Sequence, residues 1–152
     1  MEDGHFPSGR HVQRPANAVL PLIRVRRAAI DAIVEHARAE APLECCGLLI
    51  GSEALVEECY PVANVRQSAV RFEVDPAGHF AAIRKARRSN RMIVGAYHSH
   101  PASPAVPSET DVREANDPGL LHLIVSLAAA TPVVRAYRIA AGAAEEVAIA
   151  DR

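Results

Sequence analysis

Gly47 to Gly51 and Met92 to Tyr97 are short apolar runs, and Leu121 to Leu127, Val133 to Ile139 and Glu146 to Ile149 are further short segments that complete the series, with only brief helical stretches between them. Runs this short, bounded by glycine and turn residues, read as strands and not as helices. Val70, Phe72 and Val74 alternate and read as one more strand. Helical spacing is carried by Ile30, Ile33, Val34 and Ala37, from Arg26 up to the residue before Pro42, where helical angles become unfavourable. Asp75 with Pro76 opens a second helix through Phe80, Ile83 and Ala86, and Ser108, followed by Glu109 and Asp111, opens a third. A chain patterned this way buries its apolar surface as a mixed α/β layer structure, a sheet flanked by helices.

The length of 152 residues and the 49% apolar content fit one domain with one core. Residues 1 to 20 have no apolar period and read as a mobile N-terminal arm, with the domain over 21–152. Seventeen basic and eighteen acidic side chains nearly cancel, so no overall field gathers nucleic acid or a membrane surface. The arm lacks the apolar core of a signal peptide, and no stretch is apolar enough to span a bilayer, so a cytoplasmic location is expected. Adjacent Cys45 and Cys46 and the lone Cys59 form neither a disulfide framework nor a zinc half-site and are expected to be reduced and buried.

The chemistry concentrates where the Met92 to Tyr97 run ends. His98 and His100 lie two apart, so on a strand they leave the same face and can converge on one ion. Asp111, in the first turn of the third helix, can supply a third ligand. Two imidazoles and a carboxylate leave the fourth position of a tetrahedral Zn²⁺ to water, the arrangement of a catalytic centre. Glu44, just ahead of the Gly47 to Ile50 strand, is the candidate general base, and the Ser108 hydroxyl can serve an oxyanion or simply cap its helix.

Other readings of the same residues are available. Cys45 or Cys46 can be drawn as a nucleophile served by a histidine, but cysteines entering a buried strand pack more naturally as small hydrophobes. Nucleobase deamination is disfavoured because the H-x-E and P-C-x-x-C elements are missing. The basic run Arg84, Lys85, Arg87, Arg88 and Arg91 is either a solvated helix end or a docking patch for an acidic partner. His5, His11, His36, His79 and His122 have no ligand-like neighbours in sequence and receive no role.

His98-Ser99-His100-Pro101, followed after six residues by Ser108-Glu109-Thr110-Asp111, resembles the signature of the JAMM (MPN+) zinc metalloproteases. Glu44-Cys45-Cys46-Gly47-Leu48-Leu49-Ile50-Gly51 resembles their upstream element. The resemblance implies a single JAMM-like domain, with a curved, mainly antiparallel sheet flanked by helices. It implies one zinc held by His98, His100 and Asp111, with Glu44 as acid/base and Ser108 as oxyanion support. Pro107-Ser108-Glu109-Thr110-Asp111 is similar to the stand-alone bacterial branch, and Ala96 stands where many eukaryotic members have tryptophan. That branch implies cleavage after the C-terminal Gly-Gly of a small ubiquitin-like or sulfur-carrier protein. The alternative is a non-catalytic MPN-type scaffold, as found among members that lack the metal set.

Overall fold

A computed structural model describes residues 21–151, so the N-terminal arm expected from the sequence lies outside the described residues. The chain runs β1 (Leu22–Val25), α1 (Arg27–Glu40), β2 (Cys46–Ser52), β3 (Leu55–Val62), α2 (Pro76–Arg88), β4 (Met92–His100), α3 (Glu109–Glu114), β5 (Leu121–Ser126), β6 (Val133–Ala140) and β7 (Ala143–Asp151). The strands join in the order β1-β3-β2-β4-β5-β6-β7 and close into a barrel. Closure depends on β1, which pairs in parallel with both β3 and β7. The expected curved sheet therefore continues until its edges meet. Antiparallel pairing holds for β2 with β3 and β4 and for β6 with β5 and β7, while β4 and β5 are parallel.

Strand alternation sorts the side chains into two environments. One contains Ile23, Val25, Leu49, Val56, Tyr97, Leu123 and Val125, together with Ala29, Ile33 and Ala37 of α1. Gly47 lies opposite Tyr97 in the β2–β4 register, and a Cβ on it would fall 2.3 Å from the Tyr97 ring, so only glycine lets this aromatic fill the core. The other environment is divided. Leu48, Val62 and Ala82 pack under α2, and Ala105, Ile124, Tyr137 and Ile139 pack beneath the segment leading to α3. Gly78 brings α2 close to the sheet, because a Cβ there would meet Val62 Cγ1 at 2.4 Å.

Two departures from the sequence expectation matter for the site. β3 carries Glu57, Glu58 and Pro61 and does not alternate cleanly, so its apolar pattern is weak. Pro61 is tolerated because β1 pairs only with Leu55 and Val56, leaving the far end of β3 with one neighbour. Val70, Phe72 and Val74 do not form a strand; only Val74 makes an isolated bridge, to Asn64. Residues 63–75 form a strap between β3 and α2, its backbone tied by the Asn64 side chain at Arg66, Arg71 and Glu73 and by backbone bonds such as Val65 to Glu73. Asp75 occupies the N-cap position of α2 as expected but makes no side-chain capping bond.

Candidate metal centre

β4 ends among buried polar groups. His98 and His100 are 2% and 6% exposed, on the face shared with Ala96 and away from Tyr97. Pro101 to Pro107 leave this strand end in a loop that is pinned to the barrel. Tyr137 Oη donates to the Ala105 carbonyl at 2.6 Å, and Ser126 Oγ donates to the Ser103 carbonyl at 2.6 Å. The Pro104 carbonyl lies 2.8 Å from His100 Nδ1. A carbonyl only accepts, so Nδ1 carries a proton, and in its neutral form His100 turns the lone pair of Nε2 towards the centre.

α3 aims the carboxylate. Ser108 Oγ accepts from the Asp111 amide at 3.0 Å, and the Ser108 amide donates to Asp111 Oδ2 at 2.8 Å, a reciprocal capping box. The same Oδ2 lies 3.1 Å from His98 Nε2 and 3.2 Å from His100 Nε2, and the two Nε2 atoms are 3.1 Å apart. Burial opposes ionisation of Asp111, but the hydrogen bonds from His100 and His98 outweigh it and hold the carboxyl well below the usual range. Burial lowers the pKa of His98; at His100 burial acts the same way but is overcome by Asp111 and the Pro104 carbonyl, so its pKa is raised.

Three donor atoms at mutual distances of 3.1–3.2 Å are closely matched to a cation. Donors of a tetrahedral zinc site, with bonds of about 2.0–2.1 Å, stand roughly 3.3 Å apart. Without a cation, the lone pair of His100 Nε2 and the oxygen of Asp111 would face each other unless a proton intervened. The fit is therefore good on geometry and on donor chemistry.

Glu44 completes the cluster. Its carboxylate lies within 4.8 Å of donor atoms of both histidines, and Oε1 is buried without a hydrogen-bond partner. Glu44, His98 and His100, all buried, each turn a donor atom towards the others and could also hold an ion between them. Asp111 Oδ2, within hydrogen-bond distance of both imidazoles, is the candidate third ligand, with the Glu44 carboxylate beside the cluster. Burial pushes the Glu44 carboxyl up to about 7; His100 pulls against this and Asp111 adds to it. A carboxyl at that value exchanges protons near neutral pH, as a general base requires. The alternative nucleophiles fare worse, because burial drives the Cys45 and Cys46 thiols to about 11 and about 12. Cysteines 45, 46 and 59 are all free and buried.

The five residues singled out by sequence thus come together. The sequence reading missed two others. Phe72 stacks on the His98 ring, with centroids 4.3 Å apart and planes 17° from parallel. His122 pairs with Ala96 across β4 and β5, and its Nε2 is buried without a partner. The pairing of β5 with β4 places His122 on the face of Ala96 and His98, and nothing local in the sequence flags either His122 or Phe72. The basic run is partly engaged, since Lys85 and Arg91 both pair with Glu58.

Residues 26–140 match the family described as prokaryotic homologues of the JAB domain. The CysO-cysteine peptidase of Mycobacterium tuberculosis is 34% identical over 128 residues, spanning 82% of this chain and 88% of the relative. The desampylase of Haloferax volcanii is 41% identical over 105 residues, 64% of this chain and 76% of that protein. A solution structure of a Desulfitobacterium hafniense protein superposes with a TM-score of 0.80 at 36% identity, covering 86% of this chain and 92% of the other. A family match that takes in both Glu44 and the His98 to Asp111 cluster leaves no ambiguity about descent: this chain belongs to the prokaryotic JAB-domain family.

Proposed function

We propose that this chain is a zinc-dependent peptidase, with His98, His100 and Asp111 as ligands, that hydrolyses the amide after the C-terminal Gly-Gly of a small ubiquitin-like or sulfur-carrier protein. The observation that carries the reading is the buried, unpartnered Oε1 of Glu44 beside three converging donors. A buried carboxylate oxygen without a partner is costly in a purely structural site, which weighs against the scaffold alternative. The relatives named as a CysO-cysteine peptidase and as desampylases support the reaction and substrate class. The three free, buried cysteines suit a cytoplasmic setting, and no helix among the described residues is long and apolar enough to cross a membrane.

Zinc bound to these ligands supplies Lewis acidity towards the scissile carbonyl and makes water easier to deprotonate. The rest of the work falls to side chains. Glu44 takes the proton from the attacking water and returns it to the departing amine, a shuttle suited to a carboxyl near pH 7. Ser108 Oγ accepts the Asp111 amide as a cap while its hydroxyl proton remains to donate to the oxyanion. The Pro104 carbonyl keeps His100 in the tautomer that presents Nε2. A Gly-Gly tail, with no side chains, reaches such a recessed centre most easily.

The test offers purified, zinc-loaded enzyme a carrier protein extended by a short peptide after Gly-Gly, the same adduct ending in Ala-Ala, and casein. Chelator-sensitive cleavage of only the first is expected. Indifference to the Gly-Gly change, or a preference for casein, contradicts the substrate assignment, and no cleavage of any substrate favours the scaffold.

A further inference from the structure

Asn64 stands at the start of the 63–75 strap, and every hydrogen-bonding position of its side chain is used. Nδ2 donates to the backbone carbonyl of Glu44 at 3.0 Å and to that of Arg71 at 3.0 Å. Oδ1 accepts the amides of Arg66 and Glu73, each at 3.0 Å. Residues 71 and 73 flank Phe72, whose ring lies on His98. One amide group therefore joins the backbone that carries Glu44 to the backbone that carries the ring bracing His98. Further contacts tie the strap to Glu44, to itself and to α3. The Glu44 amide donates to the Ser68 carbonyl at 2.8 Å, the Val65 amide to the Glu73 carbonyl at 2.9 Å, and Arg71 reaches Glu114 of α3 at 3.6 Å.

From this arrangement we infer that Asn64 is a positioning residue for the hydrolysis, acting through Glu44 and through the Phe72–His98 stack and touching no reacting atom itself. The inference rests on the reading of Glu44 as general base and His98 as a zinc ligand. The chemistry demands asparagine. Aspartate has the same shape and can still accept from Arg66 and Glu73, but it turns two donations into lone pairs facing the carbonyls of Glu44 and Arg71. Both backbone segments are then released together, and displacement of a catalytic group by a fraction of an ångström is enough to slow turnover. In the intact protein the stacked ring also covers one face of His98 and resists its rotation away from a bound ion.

The test compares wild type, Asn64→Asp, Asn64→Ser and Phe72→Leu as folded, zinc-loaded proteins, reading kcat and KM on the Gly-Gly adduct and the rate of zinc release to a chelator. Asn64→Asp is expected to lower kcat about tenfold or more with KM changed by less than about threefold, and to speed zinc release. Phe72→Leu, which leaves the strap's hydrogen bonds in place, is expected to speed zinc release with a smaller loss in kcat. Asn64→Ser, able to donate to one carbonyl only, carries the test if the aspartate variant does not fold. A variant that melts earlier but keeps wild-type kcat and zinc release overturns the inference, since Asn64 then only stabilises the strap. If wild type does not cleave the adduct, the substrate reading fails separately, and zinc release alone decides: faster release in the Asn64 variant upholds the positioning role and unchanged release overturns it.

Discussion

The two faces of β4 carry buried polar groups of opposite character. On the inner face Tyr97 Oη lies 2.7 Å from His36 Nδ1, and Ser99 Oγ accepts the Cys45 amide at 2.8 Å, so these polar groups are satisfied within an apolar core. On the outer face His98, His100 and Asp111 crowd their donor atoms together, while Glu44 Oε1 and His122 Nε2 have no partner. Adjacent residues of one strand thus serve two ends. Satisfied polar groups hold the barrel together, and unsatisfied ones, costly on their own, mark where an ion and a substrate are expected.

Substitutions on the two faces should therefore separate chemistry from stability. The largest effect is expected from Glu44→Gln, which should keep zinc and lose turnover by about two orders of magnitude or more. Metal analysis alongside steady-state kinetics checks this, and parallel loss of zinc would make Glu44 a ligand.

The same variant should sharpen the comparison in zinc-free protein. The folded-state pKa of Glu44 is raised to about 7, so the fold favours the protonated carboxyl and loses stability as pH rises from the ordinary carboxylate range through 7. Glu44→Gln removes that penalty. Its stability gain over wild type should be small at pH 4 and grow as pH rises through 7, read from denaturant unfolding across pH. A gain that does not change with pH would mean that Glu44 ionises freely in the fold.

On the inner face the effects should be smaller and purely structural. Tyr97→Phe leaves His36 Nδ1 without its partner and should cost about 1 kcal/mol of stability, with kcat per folded molecule unchanged. A large fall in kcat would join the two faces functionally. Cys45 packs in the core while Cys46, opposite His98, lies on the outer face; replacing both by alanine should cost packing but leave zinc content and turnover intact, and a folded, zinc-loaded but inactive protein would revive the cysteine nucleophile.

Much of this division was legible in the sequence. A strand ending in His98-Ser99-His100 must send both imidazoles to one face, and Ser108 three residues ahead of Asp111 is a capping pattern that aims the carboxylate. Both follow from short-range geometry. β1 was not legible, because four residues that include Arg24 become a strand only when β3 and β7 flank them. Val70, Phe72 and Val74 misled for the reverse reason: they alternate like a strand, yet their backbone neighbours are tied by Asn64, a long-range effect that no local pattern encodes. His122 was set aside because its partners in space come from β4, which only the pairing of β4 with β5 reveals.

The most direct test of the central claim, that the outer face of β4 is a metal centre, is titration of metal-stripped protein with zinc, in wild type and in His98→Ala, His100→Ala and Asp111→Ala. The account predicts tight uptake of one equivalent by wild type and loss of most of it in each variant, with the barrel still folded. Wild type that takes up no zinc, or variants that all retain a full equivalent, would contradict it.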